Sequence, residues 1–147
     1  MIARKLSLPL LSGLFLLAAC AFDVINLRLS PTRFEPVSDA PQEWVLRSDV
    51  KVTLVSGWAT ALKKGTTWKQ VGTVIEGTVL KTRDQIVTVE ASDIFEAEPV
   101  INGGRIVGFY LPVDKAFTPA DPAAPVELDE VEAASASFRY QDFHRGK

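Results

Sequence analysis

The stretch IFEAEPVINGGRIVGFYL, residues 94–111, decides the fold. Two apolar arms in it flank the tripeptide Asn102-Gly103-Gly104. Asn and Gly adopt positive φ at low cost, so the tripeptide predicts a tight turn between two antiparallel strands. Pro99 has no N–H to donate to a neighbouring strand, which predicts an edge position or a bulge in the first arm.

The segments on either side of this hairpin also have strand periodicity. Apolar and polar residues alternate over 50–54, as in an antiparallel sheet with one solvated face. Residues 85–91 are rich in Val, Ile and Thr, and a strand there would place Ile86, Thr88 and Glu90 opposite Val87 and Val89. Gly77 predicts a bulge or bend in a strand over 73–81, and Gly108 predicts a sharp bend in the second hairpin arm. Residues 44–118 are therefore predicted to be mainly β: a small antiparallel β-barrel or sandwich, with an SH3-like barrel preferred.

The residues before this domain are predicted to form a tether. Pro31, Pro36 and Pro41 punctuate the segment 20–43, and proline spacers are semi-rigid. The apolar residues of 25–29 alternate with polar ones, so an edge strand of the domain is the open alternative there.

The residues after the domain differ in composition. Segment 119–147 begins with a Pro/Ala-rich run, which predicts a linker followed by a charged, flexible tail. A short helix over 126–135 is a further expectation, because acidic residues near a helix start complement its dipole. The acidic residues of this cluster are Glu127, Asp129, Glu130 and Glu132.

The first nineteen residues have the layout of a secretory signal peptide. Arg4 and Lys5 precede an uncharged, Leu-rich run of about twelve residues, and Ala18-Ala19 follow it. That run is too short to span a hydrocarbon core, which needs roughly 20 helical residues. Residues 1–19 are therefore predicted to be a cleaved leader.

The stretch Leu17-Ala18-Ala19-Cys20 resembles the lipobox of bacterial lipoproteins. The resemblance implies that the Cys20 thiol receives a diacylglycerol, that the leader is removed and that the new amino terminus is acylated. Several acyl chains anchor a protein stably to a membrane. The residue after Cys20 is Ala21 rather than Asp, which resembles the pattern for an outer-membrane position facing the periplasm. An ordinary signal peptide with a stray thiol is the alternative.

Composition excludes several classes of function. The chain carries 18 Asp+Glu against 16 Lys+Arg, and two of those cations lie in the leader, so no basic footprint for nucleic acid is present. Cys20 is the only cysteine and His144 the only histidine, so the sequence predicts no disulfide, no metal site and no cofactor. His144 is expected to be an exposed residue of the tail rather than a catalytic base.

Aromatic side chains are the candidates for ligand or partner contact. Trp58 and Trp68 lie next to predicted turns, which favours exposure of their rings. Phe109 and Tyr110 are adjacent, so in a strand their rings face opposite sides and one ring is expected to be less buried. Trp58, Trp68 and Tyr110 are the predicted contact residues. Core packing is the alternative for each of these rings, as it is for Trp44.

We expect a non-enzymatic, lipid-anchored envelope protein that binds another protein or serves as an accessory part of an envelope assembly. One alternative is a peptidoglycan-binding module in which an exposed Trp stacks on sugars. A minor alternative is a hydrolase using Asp93, Glu96 and Glu98, which would require two of these acids in one pocket.

Overall fold

The structure, a computed structural model, describes residues 26–131, and every regular element in that range is a β-strand. The mainly β prediction is therefore confirmed. The strands, numbered in chain order, are β1 (Ser30–Pro31), β2 (Glu35–Pro36), β3 (Glu43–Leu46), β4 (Val50–Thr53), β5 (Ala59–Leu62), β6 (Thr67–Val74), β7 (Gly77–Thr82), β8 (Thr88–Glu90), β9 (Ile94–Glu96), β10 (Glu98–Asn102), β11 (Arg105–Leu111), β12 (Ala116–Pro125) and β13 (Leu128–Glu130).

All strand pairs are antiparallel. The main sheet follows the order β1-β12-β11-β10-β7-β6-β3-β13, and β2 adds to the edge of β6. Strands β4–β5 and β8–β9 form two separate hairpins. Because β1 and β13 each pair with one neighbour only, the sheet is open. The closed-barrel alternative is therefore wrong for residues 26–131.

The β10–β11 hairpin forms as predicted. Asn102 lies opposite Arg105, and the two glycines between them have φ of 59° and 72°. Positive φ at both central residues is the requirement of a two-residue turn that matches strand twist. Pro99 lies next to a register shift at Val100/Ile101, which confirms the bulge alternative. The edge alternative is wrong because β10 lies between β7 and β11.

The two other glycines with predicted roles mark close approaches of the backbone. The chain turns at Ile75–Glu76, so the predicted strand over 73–81 is two strands, and Gly77 begins the second. A Cβ on Gly77 would collide with the carbonyl of Ile101 on β10. Gly108 lies at a register shift between β11 and β12, where a Cβ would collide with the carbonyl of Thr118.

The main sheet is buried on both faces. Phe109 belongs to a first core, which packs against the β4–β5 and β8–β9 hairpins, and Tyr110 belongs to a second core on the other face. The expectation that one of these rings is less buried is wrong, since both are buried. The second core consists of Val74, Val79, Val100, Tyr110 and Phe117.

Residues 26–37, here called the strap, cover the second core. Its β1 pairs with the start of β12, and its β2 pairs with Thr73 and Gly72 of β6. Between the two, the Phe34 ring stacks on Tyr110 with centroids 5.1 Å apart. Such aromatic pairs contribute about 0.5–1.5 kcal/mol beyond area burial. The prediction of a tether over 20–43 is therefore wrong for the strap.

The edge-strand alternative for residues 25–29 has a mixed outcome. Strand pairing begins only at Ser30, one residue after that segment. Leu27 nevertheless packs against the first core, whereas Leu29 is exposed. Residues 1–25, which include the predicted leader and Cys20, lie outside the described residues.

The predictions for residues 119–130 are also wrong. The Pro/Ala run belongs to β12, and residues expected to be helical form β13, which pairs with β3. The prolines are tolerated because residues between Pro119 and Ala124 leave the register with β11. Arg47 holds β13 by contacts to Glu127 and Asp129, and this hydrogen bonding lowers the pKa of Asp129. The predicted tail, from Glu132 onward, lies outside the described residues.

Candidate functional site

Two of the three predicted contact residues are buried. The Trp68 side chain is 0% exposed because it packs into the first core, and its Nε1 donates a hydrogen bond to Thr66 Oγ1 at 2.8 Å. Tyr110 lies under Phe34 in the second core. The expectation of exposure is therefore wrong for Trp68, and neither ring reaches a ligand in this conformation.

The other two tryptophans are half-buried. Trp58 and Trp44 both pack against the first core, and Trp58 Nε1 is buried without a hydrogen-bond partner in the described part of the chain. Because Trp58 is only half-buried, part of its indole ring is accessible to a ligand. Residues 26–131 contain no exposed pair of tryptophan rings of the kind that stacks on a sugar chain.

An exposed face that mixes apolar and acidic side chains lies on the β8–β9 hairpin and on the residues that lead into β8. We call it the outer face; it consists of Ile86, Thr88, Glu90, Ile94 and Glu96. Val87 and Val89 alternate with these residues and are buried in the first core. Ile86 is 83% exposed and Ile94 is 71% exposed. In the register of the hairpin, Ile94 lies opposite Glu90 and Thr88 lies opposite Glu96.

A shallow cavity of about 190 Å³ adjoins the outer face. Ile86 and Glu96 line it together with Lys81, Arg83 and Glu98. The Lys81 Nζ lies 3.7 Å from Glu96 Oε1 and 3.8 Å from Glu98 Oε1. Two of the three acids singled out in the sequence thus share a pocket, whereas Asp93 does not line it.

Burial sets the electrostatics of Glu98. Because the side chain is largely removed from water, desolvation raises its pKa, the neighbouring Glu96 raises it further and Lys81 opposes the rise. A carboxyl with a raised pKa can donate a proton, and a second carboxylate stands beside it. Two-carboxylate catalysis places the scissile bond between the two acids. Here the Lys81 ammonium contacts both carboxylates.

We expect the Glu98→Gln variant to become more stable relative to the wild type as the pH rises. The raised pKa makes the folded protein bind more protons than the unfolded chain at pH values between the ordinary carboxyl pKa and the raised one. Wild-type stability therefore falls as the pH rises through this window, whereas the amide has no proton to lose. Urea unfolding of both proteins at acidic and neutral pH measures the trend, and a difference that does not vary with pH contradicts it.

The sequence contained part of the signal for this face. A strand over 85–91 was predicted, and it separates Ile86 from Val87 and Val89. Whether Ile86 or the two valines face solvent depends on how β8 packs with β9 and β7, so the sequence did not predict the exposed isoleucines. It did not predict the contact of Lys81 with Glu98 either, for the same reason. Cys20 and His144 lie outside the described residues.

Within residues 26–131, no group of three or more His, Cys, Asp or Glu side chains is arranged to hold a metal ion. No helix of the described part is long and apolar enough to cross a membrane. Comparisons of the chain with protein-family models, with curated proteins and with solved structures found no match.

Proposed function

We propose that this protein is a lipid-anchored component of the bacterial cell envelope that binds another protein and catalyses no reaction. The lipobox resemblance at Cys20 supports the anchor and, with Ala21 after it, an outer-membrane position facing the periplasm. The outer face supports the binding role. The lipid on Cys20 holds the domain near the membrane, and the outer face engages the partner.

The observation that carries the binding role is the exposure of Ile94 on β9 and of Ile86, two residues before β8. Burying an isoleucine side chain in an interface is worth about 1.5–3 kcal/mol. Glu90 and Glu96 flank the two side chains, and Lys81 offsets only part of that charge. A partner segment with apolar side chains between basic ones complements this surface.

The two alternatives have less support. A wall-binding module needs an open aromatic platform, but Trp68 is buried and Trp58 is half-buried. A hydrolase needs a substrate between Glu96 and Glu98, where Lys81 already contacts both acids. Sacculus pull-down and hydrolase assays on the intact protein are the direct tests of these alternatives.

Photo-crosslinking in cells tests the binding role. A crosslinking amino acid at Ile94 in the full-length protein is expected to give one specific protein adduct. The same residue at Ile75 is the control, because Ile75 is also an exposed isoleucine but lies at the opposite end of β7 from the cavity. Ile86→Ser is expected to reduce the Ile94 adduct about tenfold, since tenfold corresponds to about 1.4 kcal/mol.

Two results contradict the binding role. One is the absence of any adduct at Ile94. The other is an equal set of adducts at Ile94 and at Ile75, because that pattern reports random collisions rather than a specific interface.

A further inference from the structure

The strap places the domain close to the predicted lipid, and this inference rests on the anchor proposed above. The described chain begins at Asn26, and five residues separate Asn26 from Cys20. An extended chain advances at most about 3.3–3.6 Å per residue, so this link reaches no further than about 22 Å. A tether over 20–43 would reach several times as far. The surface near Asn26 is therefore held next to the bilayer.

Two exposed apolar side chains lie on that surface. The strap pairs with the outer edge of β12, where Ser30 lies opposite Phe117. Further along the same edge, the Val55 N–H donates a hydrogen bond to the carbonyl of Pro119 at 3.2 Å. Leu29 precedes Ser30 in the strap, and Val55 lies in the turn after β4. The two residues therefore lie near each other along the same edge of β12. We call these two residues the edge pair.

The edge pair is accessible. Leu29 is 41% exposed and Val55 is 44% exposed. Val55 lies in the turn between β4 and β5, in which Gly57 has a φ of 88°. A positive φ of this kind suits glycine and allows a tight turn that leaves Val55 at its tip. Apolar side chains that lie against a membrane can enter the boundary between headgroups and acyl chains.

We propose that the edge pair contacts the lipid surface of the membrane that holds Cys20. The short link brings the bilayer to this edge, and the two apolar side chains gain by leaving water. The charged residues near this edge are exposed and of both signs: Arg28, Asp114, Lys115 and Asp121. Neutral headgroups therefore suffice, and the contact is expected to resist salt.

The orientation that follows leaves the outer face free. Val55 lies at one end of the β4–β5 hairpin. At the other end, Gln85 donates a hydrogen bond from Nε2 to the carbonyl of Ala61 at 2.8 Å, and its Oε1 accepts one from the Lys63 N–H. Gln85 leads directly into β8. The β8–β9 hairpin therefore starts beside the end of β4–β5 that is remote from the bilayer.

Depth-dependent fluorescence quenching tests the proposal on the full-length protein, purified from bacterial membranes and reconstituted into phosphatidylcholine vesicles. Lipid occupies the native thiol, so a thiol-reactive, polarity-sensitive dye labels Val55→Cys alone. Ile86→Cys is the matched control on the outer face. Vesicles with a spin label near the headgroups are expected to quench the Val55 label several-fold more than the Ile86 label, with or without added salt. Leu29→Cys repeats the measurement if the Val55 variant does not fold.

Flotation of the same samples tests the lipid anchor separately from the membrane contact of the edge pair. If the protein floats with the vesicles and the Val55 and Leu29 labels are quenched no more than the Ile86 label, the membrane contact is overturned and the anchor stands. If the protein does not float, the anchor itself fails and the membrane contact fails with it. Flotation with selective quenching at the edge pair supports both.

Discussion

Replacement of Trp68 by Ala is expected to lower the free energy of unfolding by about 3–5 kcal/mol. The indole is fully buried in the first core, and Thr66 accepts its only N–H. Alanine leaves a cavity in the first core, and β6 cannot move to fill it because its backbone is paired on both sides. Urea denaturation of wild type and variant measures the loss as a shift of the midpoint.

Trp44→Ala is the matched control for this loss. Trp44 lies directly opposite Trp68 on β3 but is only half-buried, so its truncation is expected to cost clearly less. If Trp68→Ala leaves stability within 1 kcal/mol of wild type and instead abolishes binding to isolated sacculi, the burial of Trp68 and the rejection of a wall-binding role are both contradicted.

Replacement of Gly72 by Ala is expected to release the strap at a cost of about 1–3 kcal/mol, the usual range for an overpacked site. The added Cβ would collide with the carbonyl of Glu35 and with the Phe34 ring, both in the strap. The backbone carbonyl cannot move without breaking the β2–β6 pairing. Amide hydrogen exchange reads the result, because the Val37 N–H is protected by the carbonyl of Val71. Its exchange is expected to accelerate at least tenfold, whereas the β10–β11 amides remain protected.

Gly57→Ala controls for the backbone effect of losing a glycine. Gly57 has a positive φ, and a Cβ there would meet no atom within 4 Å. The substitution is expected to cost about 1–2 kcal/mol of local strain and to leave Val37 protected. Equal exchange of the Val37 amide in Gly72→Ala and wild type would show that the strap is not packed as described.

The hairpin and the antiparallel class were predictable because their signals are local. Asn102-Gly103-Gly104 specifies its turn through backbone preference alone, and Pro99 signalled a bulge that forms one residue away. Alternation along single strands likewise requires no knowledge of neighbours.

The strap and β12 were not predictable by the same reasoning. Glu35 pairs with Thr73, and Ser30 pairs with Phe117, so the order in the strap comes from partners far along the chain. Pro-rich sequences usually mark linkers, but β12 accommodates its prolines through a segment that leaves the register with β11. Local composition therefore suggested a linker where long-range pairing creates a strand.

The candidate site was likewise predictable only where its signals are local. The acids near residue 96 were recognised, but their grouping with Lys81 depends on packing of the β8–β9 hairpin beside β7. The burial of Trp68 depends on the segments that pack over its face of the sheet in the first core, so its position after a turn did not indicate exposure. Exposure of Ile86 and Ile94 is likewise a property of the assembled sheet.

Intact-mass spectrometry of the protein extracted from bacterial membranes is the most direct test of the proposed anchor. We expect a chain that begins at Cys20 and carries the added mass of a diacylglycerol, with or without a further amide-linked acyl chain. Cys20→Ala is expected to lose this mass and to leave the membrane fraction. A wild-type chain that carries an unmodified Cys20 would contradict the lipid anchor and, with it, the placement of the strap beside the bilayer.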